Sequence, residues 1–311
     1  MSHLVLGELC ADIVVALAAD PVFGQTESLV PSTTITMGSS SAITACGLAR
    51  LGVTTTLVSV AGDDVLGRFL LEELRARAVQ TDHIRIDSSR PTGSSTILTR
   101  PDGDRAILTA LGSIGQVRVD DVPAALLETV SHVHVGAYFL QYQLQDSLPQ
   151  WFAALRARGI TTSLDPNFDP AQAWDSGILE AIGQTDIFFC NDDEATAITG
   201  ADGAEAVHAL TRQLPDDGLL VVKRGADGAR AHGSGGVRAE VRPPADDRPL
   251  VDTVGAGDSL TAGFLAARAH GWDLPSALRA GVRNATASTR GVGGTSAQLT
   301  WEALVAEAER T

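Results

Sequence analysis

The sequence predicts an α/β protein, built as three α/β/α layers around a mostly parallel sheet, with a small β-sheet lid. Three observations carry this. Short apolar runs alternate with amphipathic segments of helical period. The alternation breaks in only two places, and both breaks read as extended chain. Finally, 311 residues that are 44% apolar can bury one large core.

In chain order the strand-like runs are "LVLGEL" (4–9), "TTTLVSVAG" (54–62), "HVHVGAY" (132–138), "ITTSLDPN" (160–167), "DIFFCND" (186–192) and "LLVVKRG" (219–225). Helical periods fall at 41–51, 66–77, 147–158, 194–199 and about 258–270. Strands joined by crossover helices give a parallel sheet covered on both faces. Ligands of such sheets sit beyond the carboxyl ends of the strands.

The first break, 13–37, has no helical period, and its "DPVFGQT" reads as a turn. The second, 90–113, contains "GSSTILTRPDGDRAILTAL", two alternating runs around Pro101-Asp102-Gly103-Asp104, which is a hairpin pattern. Together they predict a β-lid over the site. The expected division is an α/β domain at 1–12, 38–89 and 114–311, with the lid at 13–37 and 90–113. The lid's apolar strands, "IVVAL" and "TILT", suggest pairing with a second copy as a homodimer.

A formal charge of −15 argues against nucleic acid as a partner, since phosphate neutralisation needs basic surfaces. Cys10, Cys46 and Cys190 lie in apolar runs without metal-ligand or paired spacing, so buried free thiols are expected. No run reaches membrane-spanning length. The start "MSHLVLGELCADIVV" has no basic region followed by a long apolar core, so a cytoplasmic location is expected.

The stretch "DTVGAGDSLTAGF" (252–264) holds the chemistry, and it has two readings. Its "GDSL" spells a serine-esterase signature, but the one histidine after it, His270, lies about three helical turns from Ser259. The alternative is a phosphoryl site. Gly255-Ala256-Gly257 bends into a helix, whose amides and positive end face an anion. Asp258 in the first turn then accepts a hydroxyl proton. A glycine turn before an Asp-capped helix would look the same on spacing alone.

The same stretch resembles the signature of the ribokinase-like (PfkB) carbohydrate kinases, D-T-x-G-A-G-D-x-x-x-A-G-F. The resemblance runs on through "GSSSAITACGLARLG" (38–52), "VAGDDVLGRFLLEELRARAVQT" (60–81), "LDPNFDPAQAW" (164–174), "NDDEATAITG" (191–200) and "VVKRGADGA" (221–229). It implies the ribokinase-like fold and phosphorylation of a hydroxyl, primary in our reading, of a small sugar by ATP with Mg²⁺. Asp258 is then the general base, and Gly255, Ala256 and Gly257 form the anion hole. Asn191 and Glu194 order Mg²⁺ through water, and Lys223, Gly225 and Gly228 face the nucleotide. In some members the aspartate matching Asp252, with the carbonyl matching Val254, holds a monovalent cation, so K⁺ is a further expectation.

On the acceptor side the resemblance implicates Asp12, Gly38, Ser39, Ser40, Ile43 and Asn167. Two of these depart from the family pattern. Ser39 stands for the usual second glycine, and Ile43 for an asparagine that bonds a substrate hydroxyl. Ser39 and Ser40 are candidates to replace that contact. Phe168 stands where acid-sugar kinases often carry arginine, which argues against an acidic substrate. Two alternatives remain at this stage. One is a nucleoside kinase using Phe23, Tyr138 and Phe139 around a base, and the other a non-catalytic sugar- or nucleotide-binding protein.

Overall fold

A computed structural model describes residues 2–308; Met1 and residues 309–311, at the two ends of the expected α/β domain, lie outside them. The elements run β1 (Ser2–Leu6), β2 (Cys10–Ala16), β3 (Ser32–Met37), α1 (Ser40–Arg50), β4 (Thr54–Gly62), α2 (Val65–Ala76), β5 (Ile84–Asp87), β6 (Gly93–Thr99) and β7 (Arg105–Ala110). They continue with β8 (His132–Val135), α3 (Leu148–Ala157), β9 (Thr161–Leu164), α4 (Ile178–Ile182), β10 (Ile187–Asn191), α5 (Asp192–Thr199) and α6 (Gly203–Gln213). The chain closes with β11 (Leu219–Lys223), β12 (Ala229–Gly233), β13 (Gly236–Val241), α7 (Ala256–Ala269), α8 (Leu274–Ser288) and α9 (Trp301–Ala308).

Among the described residues one sheet has nine strands, in the order β13-β12-β11-β10-β9-β8-β1-β4-β5. All neighbours are parallel except β11–β12 and β12–β13. Side-chain alternation divides the core in two. Val5, Phe189 and Val221 face a layer built on α1, α2, α7 and α8. Leu4, Leu6, Phe188, Cys190, Leu220 and Val222 face α3, α4, α5 and α6. These strands are buried on both faces, which is why they read as continuous apolar runs.

The three-layer fold and the separate small sheet match the expectation. The small sheet is four-stranded, ordered β3-β2-β6-β7. Its β6–β7 hairpin turns at the expected Pro101–Asp104, closed by the Arg100 N–H on the Asp104 carbonyl at 2.8 Å. Its root at β6 is tied down by Asp64, the N-cap of α2. One Asp64 oxygen accepts from Gly67 N–H (2.8 Å) and the Thr92 hydroxyl (2.7 Å), and the other from Thr92 N–H (2.7 Å). All three cysteines are buried and free, and burial pushes the Cys46 thiol up to about 12. Among the described residues no helix is long and apolar enough to cross a membrane.

Candidate active site

The parallel strands deliver residues to one edge, Glu8 after β1, Asp165 and Asn167 after β9, Asn191 at the end of β10 and Lys223 at the end of β11, while Asp12 comes from β2 of the small sheet. The N-terminus of α7 closes this edge. Gly255, just before α7, sits at φ 70, and a Cβ there would stand 2.6 Å from Gly294 Cα, so only glycine suits the position. The helix starts at Ala256, two residues earlier than the sequence suggests. Ala256, Gly257 and Asp258 therefore form its first turn, where amides lack intrahelical carbonyl partners. Ala256 N–H turns back onto the Thr253 carbonyl at 3.3 Å, and the rest of the turn combines open N–H donors, positive dipole and a carboxylate.

The Asp258 side chain is half-buried. Loss of hydration first, then the charge of Asp165, push its carboxyl up to about 7; Lys223 and the Ser40 hydroxyl pull the other way. Lys223 lies beneath this turn. Its Nζ is 2.6 Å from Asp165 Oδ2 and within 3.4 Å of where a Gly257 Cβ would be. Burial alone would lower the ammonium's pKa, but the Asp165 and Glu194 charges outweigh it and raise it. The Thr261 hydroxyl adds a 3.5 Å contact to Asp165. Lys223 is thus placed with the two aspartates, while Gly225 and Gly228 lie on the turn beyond it.

At the acceptor end Asp12 lies over Gly38, and a Cβ on Gly38 would collide with its carboxylate. Burial, with the charges of Asp252 and Glu8, raises Asp12 to about 6. Ser40 Oγ accepts from Asn167 Nδ2 at 3.1 Å and also faces Asp258, so Ser40 links acceptor side and base. Ser39 is engaged within the protein. Its hydroxyl donates to the Glu8 carbonyl (2.6 Å) and accepts from Ala42 N–H (3.0 Å) as the cap of α1. Ile43 is 2% exposed and packs against Gly255 and Gly294, bracing the anion loop from behind.

Asn191 and Glu194 form a reciprocal cap on α5. Glu194 N–H donates to Asn191 Oδ1 (2.7 Å), and Asn191 N–H donates to Glu194 Oε2 (2.8 Å). Burial raises the Glu194 carboxyl. Asp252 clamps two loops: Oδ1 accepts from Val254 N–H and Oδ2 from Gly293 N–H, each at 2.9 Å. Lid strand β7 reaches the same loop, where Arg105 Nη2 donates to Thr253 Oγ1 at 3.3 Å.

Two charged residues were missed by sequence reasoning. Asp165 was passed over for its neighbour Asn167. Glu8 is 3% exposed, accepts from Ser41 Oγ (2.6 Å) and Gln141 Nε2 (2.9 Å), and is raised by burial. The esterase reading ends with Ser259, which is fully buried and bonded to Gln298 Nε2 (3.0 Å), while His270 bonds the Leu51 carbonyl and stacks on Trp301. Tyr138 and Phe139 are core residues at 0% and 2% exposure, so neither can stack on a base.

The family model described as pfkB family carbohydrate kinase matches residues 2–301. An ATP-dependent ribose-1-phosphate kinase of Halopiger xanaduensis is 30% identical over 241 residues, 78% of this chain and 76% of that protein. An Arabidopsis thaliana ribokinase is 28% identical over 286 residues, covering 89% and 73%. The structure of Arabidopsis ribokinase complexed with ribose and ATP superposes with a TM-score of 0.84 at 22% identity, covering 98% of this chain and 97% of that one. A glycine-bent helix start carrying a carboxylate, set at the carboxyl edge of a ribokinase-type sheet beneath a four-stranded lid, fits this match over nearly the whole length, and the chain belongs to the pfkB family of carbohydrate kinases, phosphotransferases with an alcohol group as acceptor.

Proposed function

We propose that this chain transfers the terminal phosphoryl group of ATP to a hydroxyl, primary in our reading, of a small neutral sugar, with Asp258 as general base. The observation that carries the proposal is the Asp258 carboxyl itself. It stands in the first turn of α7 beside the Gly255–Gly257 backbone, raised to about 7, with Ser40 and Asn167 in front of it. A base poised near neutrality can take a proton from an alcohol and release it afterwards. The first-turn amides then meet the charge on the transferring group.

The acceptor end favours a neutral polyol. Asp12 offers oxygens to hydroxyl donors and would repel a carboxylate or phosphate, while the buried Glu8 behind it is spent on Ser41 and Gln141. The Asp12 carboxyl, raised to about 6, can accept substrate hydroxyls on both of its oxygens once ionised. The lid bears on the phosphoryl loop through Arg105 and Thr253, so closure would exclude water while it positions the acceptor.

Mg²⁺ would neutralise charge on the triphosphate. Among the described residues no three His, Cys, Asp or Glu side chains gather as direct ligands, and one Glu194 oxygen is committed to its cap. Those donors fit a metal held chiefly by nucleotide phosphates, with Glu194 acting through water. Asp252 is read as a loop clamp, since both of its oxygens already serve backbone amides. The exposed apolar lid residues Ile107 and Leu108 support the expected homodimer.

ADP release against a panel of neutral sugars, sugar phosphates and nucleosides tests the reading, with Asp258→Asn as control. Turnover confined to neutral sugars and lost in the variant is expected. Turnover that survives the substitution removes Asp258 as base, and turnover confined to sugar phosphates or nucleosides removes the substrate class.

A further inference from the structure

The geometry points to a second anion site, for a small phosphate-bearing molecule, in the groove between α6 and the β12–β13 hairpin. The two outermost strands extend the sheet past α6 and leave a cavity of about 500 Å³. Its lining includes Arg212, Arg224, Arg230, His208 and His232, with Asp192 the one acidic side chain among them. A cationic hollow runs against the composition of a chain with a formal charge of −15.

The groove is separate from the phosphoryl site. Strand alternation puts Val222, Arg230 and His232 on the α6 face of the sheet, while Val221, Ala229 and Ala231 face α7 and α8. The sheet therefore stands between this hollow and the first turn of α7.

Its charges are incompletely answered. Arg230 pairs with Glu240 at 2.7 Å, and Arg224 lies 3.6 Å from Asp192 and 3.7 Å from Glu240. The Arg212 side chain has no ion pair or hydrogen bond among the described residues. His232 is 8% exposed, opens onto the cavity and has no hydrogen-bond partner for either ring nitrogen among the described residues. An imidazole that opens onto the cavity without a protein partner, beside guanidinium groups, supplies donors that a phosphate would complete.

The test holds the phosphoryl site with Mg²⁺ and a saturating non-hydrolysable ATP analogue. Inorganic pyrophosphate and glycerol 3-phosphate are then titrated calorimetrically. One site per chain is expected for at least one probe, weakened about tenfold or more by Arg212→Ala or Arg230→Ala and unchanged by Asp258→Asn. Arg212 is exposed on α6, so its removal leaves fold and basal turnover intact. No binding of either probe, or equal binding by both arginine variants, overturns the site. Crystals soaked in tungstate give a second readout: an anomalous peak between Arg212 and Arg230 supports the site, and a peak confined to the Gly255–Gly257 loop overturns it.

Discussion

Lys223 Nζ lies 2.6 Å from Asp165 Oδ2, and this buried pair sits directly beneath the turn that carries Asp258. The ammonium therefore serves three carboxyls, those of Asp165, Glu194 and Asp258. Lys223→Met leaves two of them buried and unanswered. Stability should fall by about 3–5 kcal/mol in urea unfolding. Adding Asp165→Asn should recover part of the loss, and full additivity of the two changes would argue against the pairing.

The pH profile follows from Asp258. As the proposed base its carboxyl must be ionised to act, so kcat/KM should fall about tenfold between pH 8 and pH 6 and approach unit slope only below that. In Lys223→Met the loss of the cation moves this limb to higher pH. A profile flat from pH 5 to 8 would rule out a base raised to about 7.

Stability should show the opposite face of the same shift. The ordinary Asp value of 3.8 rises to about 7 in the fold, so the unfolded chain gives up this proton first. Between those values rising pH favours unfolding, and above about 7 the destabilisation is complete. Asp258→Asn should therefore raise Tm at pH 8, leave it near wild type below pH 4, and reduce kcat by about 10²–10⁴-fold.

Asp252→Ala unfastens the Val254 and Gly293 amides together. The anion loop then loses its fixed position, and kcat/KM should drop about 10²-fold with only a small change in melting temperature. A drop confined to melting temperature would limit Asp252 to a structural part.

Ile43→Asn tests whether the family's missing asparagine can be restored. The side chain at 43 faces Gly255 and Gly294, so an amide there is buried without a partner. A cost of about 1–3 kcal/mol and no gain in kcat/KM for any neutral sugar are expected. A gain in kcat/KM would place position 43 at the acceptor.

The sequence made the central strands legible because burial on both faces leaves an unbroken apolar run, as in "DIFFC". It made the α7 loop legible because a glycine-rich turn before a carboxylate has few other uses. It did not reveal β13, whose residues are mostly exposed and carry Arg238 and Glu240 on a hairpin edge. Glu8 and Asp165 were hidden for a different reason. Their partners Gln141 and Lys223 lie 133 and 58 residues away, and local spacing carries no trace of such pairings. Ile43 read as a lost substrate contact because a motif position was equated with the direction its side chain takes.

The Asp64–Thr92 knot has a mechanical consequence. A single carboxylate locks the first turn of α2 to the residue from which β6 departs, so that end of the four-stranded flap is a fixed pivot. Any swing of the flap must then turn about that anchor as a stiff plate, carrying Asp12 and Arg105 in step, so whatever those two side chains hold would move as one part.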